Sequence, residues 1–339
     1  MRFRNKKVLV TGGAGFIGSH VVEKLLIEGA EVVVYDNFST GKMDNLKYVK
    51  KDIEIIQGDI EDYEHIFKKT KKCNIIIHEA YPYGKSGMGL EQQYIETGII
   101  GTVNVLKAAV KNNLDKVVNA SSVSVYGIPK TIPIREHDIQ SPFLPYGVTK
   151  YAGEQYCKTF SKLYGIDTIS LRYFYAYGPR YAIFDHSALV NFLHQSLFDT
   201  SLIIYGTGQQ IRDYTYIDDI VEGTLLAALK KGSYGASYNM SYGKGLSILD
   251  LAEIIKGKIN KNLTIRFSPK NQYRYSDQYS LIPVGLTKKI SDNKWIDERN
   301  YVGNITKAKK ELGYNPKINI RKGLLNTVQW MSSCSGKKI

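Results

Sequence analysis

The chain has 339 residues, 43% of them hydrophobic, which is long and apolar enough for one large domain or two closely packed ones and excludes a mostly disordered protein. No apolar run is long enough to span a bilayer, and Val8–Val10 is too short for the core of a signal peptide, so we expect a cytoplasmic protein. The net charge of +14 could serve nucleic acid, an anionic membrane or an anionic small molecule, but no nucleic-acid motif accompanies it, and neither nucleic acid nor membrane is expected as a partner.

The first half of the chain alternates apolar strands with amphipathic helices, which is typical of a parallel sheet. Because strand–helix–strand crossovers are right-handed, this order predicts an α/β fold with a Rossmann-type, doubly wound parallel sheet. The predicted strands are Lys7–Thr11, Glu31–Asp36, Ile53–Gln57, Asn74–His78, Lys116–Ser121 and Asp167–Arg172. The predicted helices between them are Gly15–Glu28, Tyr63–Lys69, Tyr94–Lys111 and Tyr146–Tyr164.

After residue 174 the alternation loosens, which indicates a second, smaller domain. We expect residues 1–174 to form the Rossmann-type domain and a segment of about 203–243 to return to it, through a strand end and helix at Tyr214–Lys230. Residues 175–202 and 244–339 would form a mixed α/β cap that binds substrate. The predicted cap helices are Ser187–Phe198, Ser247–Ile259 and the tail from Thr306 onward, and Asn271 to Asn300 is predicted to be a long loop or insertion.

The three cysteines, Cys73, Cys157 and Cys334, are widely spaced and share no C-x-x-C pattern. They predict neither a disulfide framework nor a metal site. Cys157 falls in a predicted helix and is expected to be a small core residue.

A glycine-rich turn, Thr11-Gly12-Gly13-Ala14-Gly15-Phe16-Ile17-Gly18, follows the first predicted strand and opens a helix. Gly12 permits a tight turn, and Gly15 lets the backbone approach a pyrophosphate at the helix N-terminus. Gly18 lets the helix pack close to the sheet. This order of strand, loop and helix predicts a dinucleotide site.

An acidic residue, Asp36, ends the second predicted strand. A carboxylate there bonds the adenosine ribose hydroxyls and repels a 2′-phosphate, so it favours NAD over NADP. The alternative is a simple turn residue next to Asn37. Asp59 follows the third strand and either bonds the adenine edge or caps the next helix.

Tyr146 and Lys150 are four residues apart on a predicted helix and therefore share one face. A free tyrosine has a pKa of about 10, and a nearby ammonium and the positive nicotinamide ring would both favour the phenolate, which makes Tyr146 a candidate base. Ser122 follows the strand Lys116–Ser121, at the edge where α/β enzymes place ligands. A serine there could bond the substrate hydroxyl that is oxidised, or it could satisfy backbone groups.

Together these residues resemble the extended short-chain dehydrogenase/reductase family, the NAD-dependent nucleotide-sugar epimerases and dehydratases, over nearly the whole chain. The resemblance implies NAD as cofactor, a nucleotide-diphosphate sugar as substrate, and a homodimer built on the Tyr94–Lys111 and Tyr146–Tyr164 helices. The motifs that complete the resemblance are Asp36–Lys42, Ser122 with Tyr126, Leu171–Phe174, Gly178–Arg180 and Arg212–Asp219.

The resemblance also assigns residues to each ligand, with Ser122, Tyr146 and Lys150 as the catalytic trio and no metal. Arg212 is implied to reach the substrate pyrophosphate, and Arg299 stands near the place of a second phosphate-binding arginine. The implied cofactor-binding residues are Gly12, Gly15, Phe16, Ile17, Gly18, Asp36, Asn37, Asp59, Ile60, Ala80, Tyr146 and Lys150. The implied substrate-binding residues are Ser122, Ser124, Tyr175, Arg212 and Arg299.

The residues beside Ser122 favour one reaction within the family. Dehydratases and decarboxylases of the family typically carry Asp-Glu or Ser-Glu just after the hydroxyl residue, because elimination needs an extra acid and base. Val123 and Ser124 are not ionisable, and in this the chain resembles the 4-epimerases. In that reaction a hydride leaves sugar C4, which gives a 4-keto intermediate, and then returns to C4. A 4-dehydrogenase or dehydratase on the same substrate class is the alternative. The intact trio disfavours a third hypothesis, a catalytically silent NAD-binding regulator.

Three features depart from the family pattern. Gly98 and Tyr175 each stand where an asparagine is usual, and Glu79–Gly87 is an acid-containing, Tyr-rich stretch expected near the nicotinamide. These changes indicate an atypical sugar, or an enzyme that stops after oxidation.

Overall fold

The apolar strands of the first half assemble into one seven-stranded sheet. The computed structural model describes residues 1–82, 90–181, 187–198, 201–268 and 299–335. The strands of the described residues are β1 (Lys7–Thr11), β2 (Glu31–Asp36), β3 (Glu54–Gln57), β4 (Ile75–His78), β5 (Lys116–Ser122), β6 (Asp167–Tyr173), β7 (Ala176–Tyr177), β8 (Ser201–Tyr205), β9 (Ile211–Arg212), β10 (Thr215–Tyr216), β11 (Ala236–Met240), β12 (Leu246–Ser247) and β13 (Thr264–Ser268). The seven strands of the large sheet are all parallel, in the order β3-β2-β1-β4-β5-β6-β11. The predicted doubly wound fold is confirmed.

Helices cover both faces of this sheet. Helices α1 and α7 pack on one face, and α4 and α5 on the other, so each central strand is buried on both sides. The α-helices are α1 (Phe16–Ile27), α2 (Tyr63–Lys69), α3 (Glu91–Ile95), α4 (Thr102–Lys111), α5 (Pro145–Tyr164), α6 (Ala188–Phe198), α7 (Ile217–Leu229), α8 (Ile248–Lys258), α9 (Thr306–Leu312) and α10 (Ile320–Ser335). The strand order reverses between β1 and β4, and a crevice at such a reversal is where doubly wound proteins bind ligands.

The helix predicted at Tyr94–Lys111 is not one continuous α-helix. It begins earlier, with α3, and a π-helical turn over Glu96–Gly101 separates α3 from α4. Two glycines let this turn pack closely against its neighbours: a Cβ at Gly101 would lie 2.5 Å from the Ile60 side chain, and a Cβ at Gly98 would lie 2.9 Å from the Tyr81 hydroxyl oxygen. In the sequence, the close spacing of Gly98 and Gly101 was the signal for this turn, but the helical periodicity of the segment predicted one continuous helix.

A buried ion pair fixes helix α5 against the sheet. Arg172 on β6 donates to both oxygens of Glu154 on α5, from Nε at 2.9 Å and from Nη2 at 2.7 Å. The remaining nitrogen, Nη1, donates to the Tyr126 hydroxyl at 2.7 Å. Both charged side chains are 1% exposed or less, so the pair is tolerated only because its hydrogen bonds are satisfied.

The second half adds short strands and helices around the carboxyl edge of the sheet. Strand β11 extends the sheet beside β6, whereas β8 pairs in parallel with β13 and β9 pairs antiparallel with β12. The predicted domain boundaries stay a prediction. Most of the predicted insertion 271–300 lies outside the described residues. Cys157 is fully buried on α5, as predicted. Among the described helices, none is both long and apolar enough to cross a membrane.

Candidate active site

The glycine turn after β1 forms a cradle of bare backbone. Gly12 has a φ of +67°, and a Cβ there would lie 2.6 Å from the backbone nitrogen of Ala80. A Cβ at Gly18 would lie 2.9 Å from the carbonyl carbon of Gly12, so α1 reaches the loop only because position 18 has no side chain.

The first turn of α1, which contains Phe16 and Ile17, suits an anion. Gly15 caps the helix without a side-chain bond, and that turn holds no acidic residue. Backbone amides and the positive helix end therefore favour a pyrophosphate here. The cradle fits a dinucleotide.

Asp36 holds the neighbouring loop in place. Its Oδ2 accepts the Ala14 amide at 2.9 Å, and its Oδ1 accepts the Phe38 amide at 2.8 Å. A Cβ at Gly41 would lie 2.8 Å from Oδ2, so the loop closes tightly over the carboxylate. Burial raises the pKa of Asp36, and these two amides oppose that rise. Asp36 thus does serve the turn, and its predicted ribose contact remains a prediction.

Asp59 does not cap helix α2. The N-cap is Asp62, which accepts the His65 amide at 3.0 Å. Asp59 instead accepts the Asn37 side-chain amide at 2.8 Å, which joins the ends of β2 and β3. The adjacent Ile60 is buried beneath the π-helical turn. The structure thus places these predicted adenosine-site residues together along one edge of the crevice.

Lys150 is bonded to strand β5 close in sequence to Ser122. Lys150 Nζ donates to the carbonyl of Ala120 at 2.7 Å, two residues before Ser122. Ser122 Oγ donates to Ser124 Oγ at 3.2 Å and accepts the Ser124 amide at 3.1 Å. The hydroxyl therefore does satisfy a backbone group, and the same bonds fix its direction.

Tyr146 and Lys150 share a neighbour, Tyr81. The Lys150 ammonium lies 3.7 Å from the centre of the Tyr81 ring. The Tyr146 ring meets the Tyr81 ring edge to face, with 5.4 Å between centroids. The two predicted catalytic residues therefore lie around one aromatic side chain from the end of β4.

A second acid lies near this cluster. Burial lowers the pKa of Lys150 below its usual range, and the charge of Glu79 partly offsets that effect. Burial raises the pKa of Glu79 in turn, against a bond of 2.7 Å from the Tyr173 hydroxyl. That hydroxyl also lies 2.9 Å from Thr224 Oγ1 on α7. The side chain of Glu79 is thus tied to β6 and α7, and the remainder of the unusual stretch, residues 83–87, lies outside the described residues.

His78 is a buried link that the sequence analysis missed. Its Nδ1 lies 2.7 Å from Thr11 Oγ1, and its Nε2 lies 3.1 Å from Thr102 Oγ1. Burial lowers its pKa to about 3, so the imidazole is neutral at pH 7. It connects β1 and β4 to α4 directly behind the glycine cradle. A histidine at the end of an apolar strand was the available signal.

The predicted substrate residues Tyr175, Arg212 and Arg299 lie in one aromatic cluster. The Arg212 guanidinium is 5.4 Å from the Tyr175 ring and 5.7 Å from the Tyr301 ring. The Arg299 guanidinium lies 5.3 Å from the same Tyr301 ring, and the Arg299 carbonyl accepts a bond from Arg212. Tyr301 was missed because it follows the stretch predicted to be a loop.

Asp213, the neighbour of Arg212, serves the backbone. Its carboxylate accepts three amides, from Tyr242 at 3.1 Å, Gly243 at 3.0 Å and Gly303 at 3.1 Å. Burial raises its pKa to about 7, and those amides oppose the rise. This one carboxylate joins the segments around β10, β11 and residue 303, which frame the arginine cluster.

Comparison with known proteins decides the family. Residues 8–241 match the model of the NAD dependent epimerase/dehydratase family. The chain belongs to that family. This confirms the resemblance, and it establishes an NAD-dependent enzyme of the epimerase/dehydratase class.

Individual members of the NAD dependent epimerase/dehydratase family cover almost all of the chain. A UDP-glucose 4-epimerase from Thermotoga maritima, solved with UDP-glucose, is 30% identical, with a TM-score of 0.84 over 97% of this chain and 99% of the other. A UDP-glucuronic acid 4-epimerase from Bacillus cereus, solved with NAD, is 30% identical, with a TM-score of 0.80 over 97% and 99%. A UDP-N-acetyl-alpha-D-glucosaminuronate decarboxylase from Bacillus cytotoxicus is 31% identical over 96% of this chain and 97% of its own.

Proposed function

We propose that the protein is a nucleotide-sugar 4-epimerase. The observation that carries this proposal is the local chemistry beside Ser122. Val123 is a buried apolar residue, and Ser124 is bonded to Ser122 itself. A dehydration or decarboxylation needs an additional acid or base at the sugar, and neither position offers one. Glu79, the unusual acid nearby, is tied to Tyr173 in the core.

Three residues of the chain then transfer the proton, stabilise the phenolate and orient the hydroxyl. When bound, NAD supplies the hydride acceptor and later the hydride donor for sugar C4. Tyr146 takes the proton of the C4 hydroxyl as the hydride leaves and gives it back as the hydride returns. Lys150, fixed on the Ala120 carbonyl, favours the phenolate by its charge. Ser122 bonds the same hydroxyl and orients it.

We assign the substrate's phosphates to the arginine cluster. A guanidinium offers a planar fork that matches a pyrophosphate better than an ammonium does. Arg212 is 6% exposed, and the two tyrosine faces beside it limit its movement. NAD is preferred over NADP in this proposal because Asp36, at the end of β2, would repel a 2′-phosphate.

A homodimer through α3 to α5 is also part of the proposal. Large apolar side chains are exposed along these helices, including Ile95, Ile100, Val148 and Leu163. A second copy would cover them, since monomers rarely expose a large apolar patch. Light scattering tests this: a dimer that Val148→Glu converts to monomer supports it, and a monomeric natural protein contradicts it. A cytoplasmic location stays a prediction.

The deciding experiment is a panel of sugar nucleotides, beginning with UDP-glucose and UDP-galactose, incubated with NAD-loaded protein. A 4-epimerase forms the epimer with no net NADH. A 4-dehydrogenase accumulates NADH absorbance, and a dehydratase forms a 4-keto sugar, and either result contradicts the proposal. Tyr146→Phe serves as the negative control in each reaction.

A further inference from the structure

We propose that Tyr81 is a positioning residue for the Tyr146–Lys150 pair, and that Gly98 is glycine to make room for it. The roles of Tyr146 and Lys150 rest on the proposed function, but the contacts of Tyr81 do not. Two departures from the family pattern, at positions 81 and 98, then become one structural feature.

The ring of Tyr81 contacts both predicted catalytic residues. Its face lies 3.7 Å from the Lys150 ammonium, close enough for a strong cation–π attraction. Its edge-to-face contact with Tyr146 has an interplanar angle of 86°. The ring therefore restricts where the ammonium and the phenol can lie.

The hydroxyl of Tyr81 locks the ring in this place. It contacts Thr149 Oγ1, and Thr149 itself donates to the carbonyls of Pro145 at 3.1 Å and Tyr146 at 3.2 Å. Because the Thr149 proton is used by α5, Tyr81 is the donor in their bond. Burial raises the pKa of Tyr81 well above its usual range, so its proton is retained. The loop after β4 is thereby fastened to the first turn of α5.

Gly98 supplies the space for the phenol. A Cβ at position 98 would lie 2.9 Å from the Tyr81 oxygen and 3.0 Å from its Cε2. The ring lies between α5 and the π-helical turn, so a side chain at position 98 would displace it from its present contacts. Tyr81 can keep its present contacts only beside a glycine.

Several groups around Lys150 affect its charge, and Tyr81 differs from the others. His78 is neutral, and Glu79 adds a negative charge only when it is ionised, because burial raises its pKa to about 7. Tyr81 favours the ammonium through its ring face, without a charge of its own. Its removal therefore lowers the pKa of Lys150 even though Glu79 remains.

The first test measures that pKa without any sugar. Lysines are labelled at Cε in the NAD-loaded protein, and the Lys150 signal is identified by its loss in Lys150→Arg. We expect Tyr81→Leu to lower the measured pKa of Lys150 by about one, from a cation–π contact of ordinary strength, and Tyr81→Phe to leave it nearly unchanged. An unchanged pKa in Tyr81→Leu overturns the proposal.

The second test is a double-mutant cycle on turnover of the sugar nucleotide that the natural protein epimerises fastest. Gly98→Ala should lower kcat by roughly tenfold with little change in KM, and should have no further effect in a Tyr81→Leu background, since both changes remove the same contact. Additive effects overturn the proposal. Gly153→Ala is the matched control, because a Cβ on that buried α5 glycine meets only ordinary contacts at 3.7 Å and beyond. If the natural protein epimerises no sugar nucleotide of the panel, the proposed function is contradicted, while the Lys150 titration still decides the role of Tyr81.

Discussion

The two edges of the crevice are built in different ways. The edge proposed for adenosine and pyrophosphate is made of glycines and backbone amides from two short stretches, the turn Gly12–Gly18 and the loop that Asp36 organises. The edge proposed for the sugar nucleotide is made of side chains, the stacked arginines 212 and 299 and their tyrosines. The first edge depends on backbone geometry and the second on packing between distant segments.

This difference explains how each edge can change. A backbone cradle tolerates few substitutions, because a Cβ at Gly12, Gly15 or Gly18 would meet another backbone atom. A cluster of arginine and aromatic side chains can exchange members and still offer positive charge and flat surfaces. We therefore expect cofactor choice to be fixed by few atoms, and substrate choice to be adjustable.

The largest effect is expected where the two edges meet, at Tyr146. Tyr146→Phe removes the proposed base and should lower kcat by about 10²–10⁴-fold, while NAD affinity stays because the ring keeps its packing. Steady-state kinetics and calorimetry measure the two quantities. Tyr156→Phe, a half-exposed position on the same helix, is the control. A Phe variant that keeps most of its turnover would show that another group is the base.

A smaller effect is expected on the side-chain edge. Arg212→Lys keeps the charge but loses the fork, so the KM for the sugar nucleotide should rise roughly tenfold or more, with NAD affinity unchanged. A variant that lost thermal stability and kept its KM would contradict the proposed contact with the pyrophosphate, because Arg212 would then have a structural role. Arg266→Lys, an exposed arginine on β13, controls for the change of residue type.

The smallest effect is expected at Asp36, and it sharpens the account of the backbone edge. Asp36→Asn removes the charge but keeps one acceptor for the loop amides, so discrimination against NADP should relax by about tenfold with little loss of Tm. Asp36→Ala removes both acceptors and should also lower Tm. Titration calorimetry with NAD and with NADP measures the discrimination, and scanning calorimetry measures Tm. Equal affinities for the two cofactors in the natural protein would contradict the role given to the Asp36 charge.

The sheet and the glycine turn could be predicted from the sequence because each is encoded within a few neighbouring residues. Gly12, Gly15 and Gly18 directly follow an apolar strand and open a helix, an order that is typical of dinucleotide sites. The wedge of Tyr81 against Gly98 could not be predicted, because the two positions are apart in sequence and neither one alone indicates a contact with the other. Tyr301 and the three amides on Asp213 were missed for the same reason: their partners come from distant segments.

The buried pair of Arg172 and Glu154 makes the position of the proposed catalytic helix independent of the substrate edge. Through that pair the helix that carries Tyr146 and Lys150 is anchored to β6, one turn beyond Lys150 and on the same helix face. The proton-handling groups are preorganised, so binding energy from the sugar nucleotide need not be spent on aligning them. The substrate edge can then be redesigned for another nucleotide or sugar while the chemical machinery is left in place.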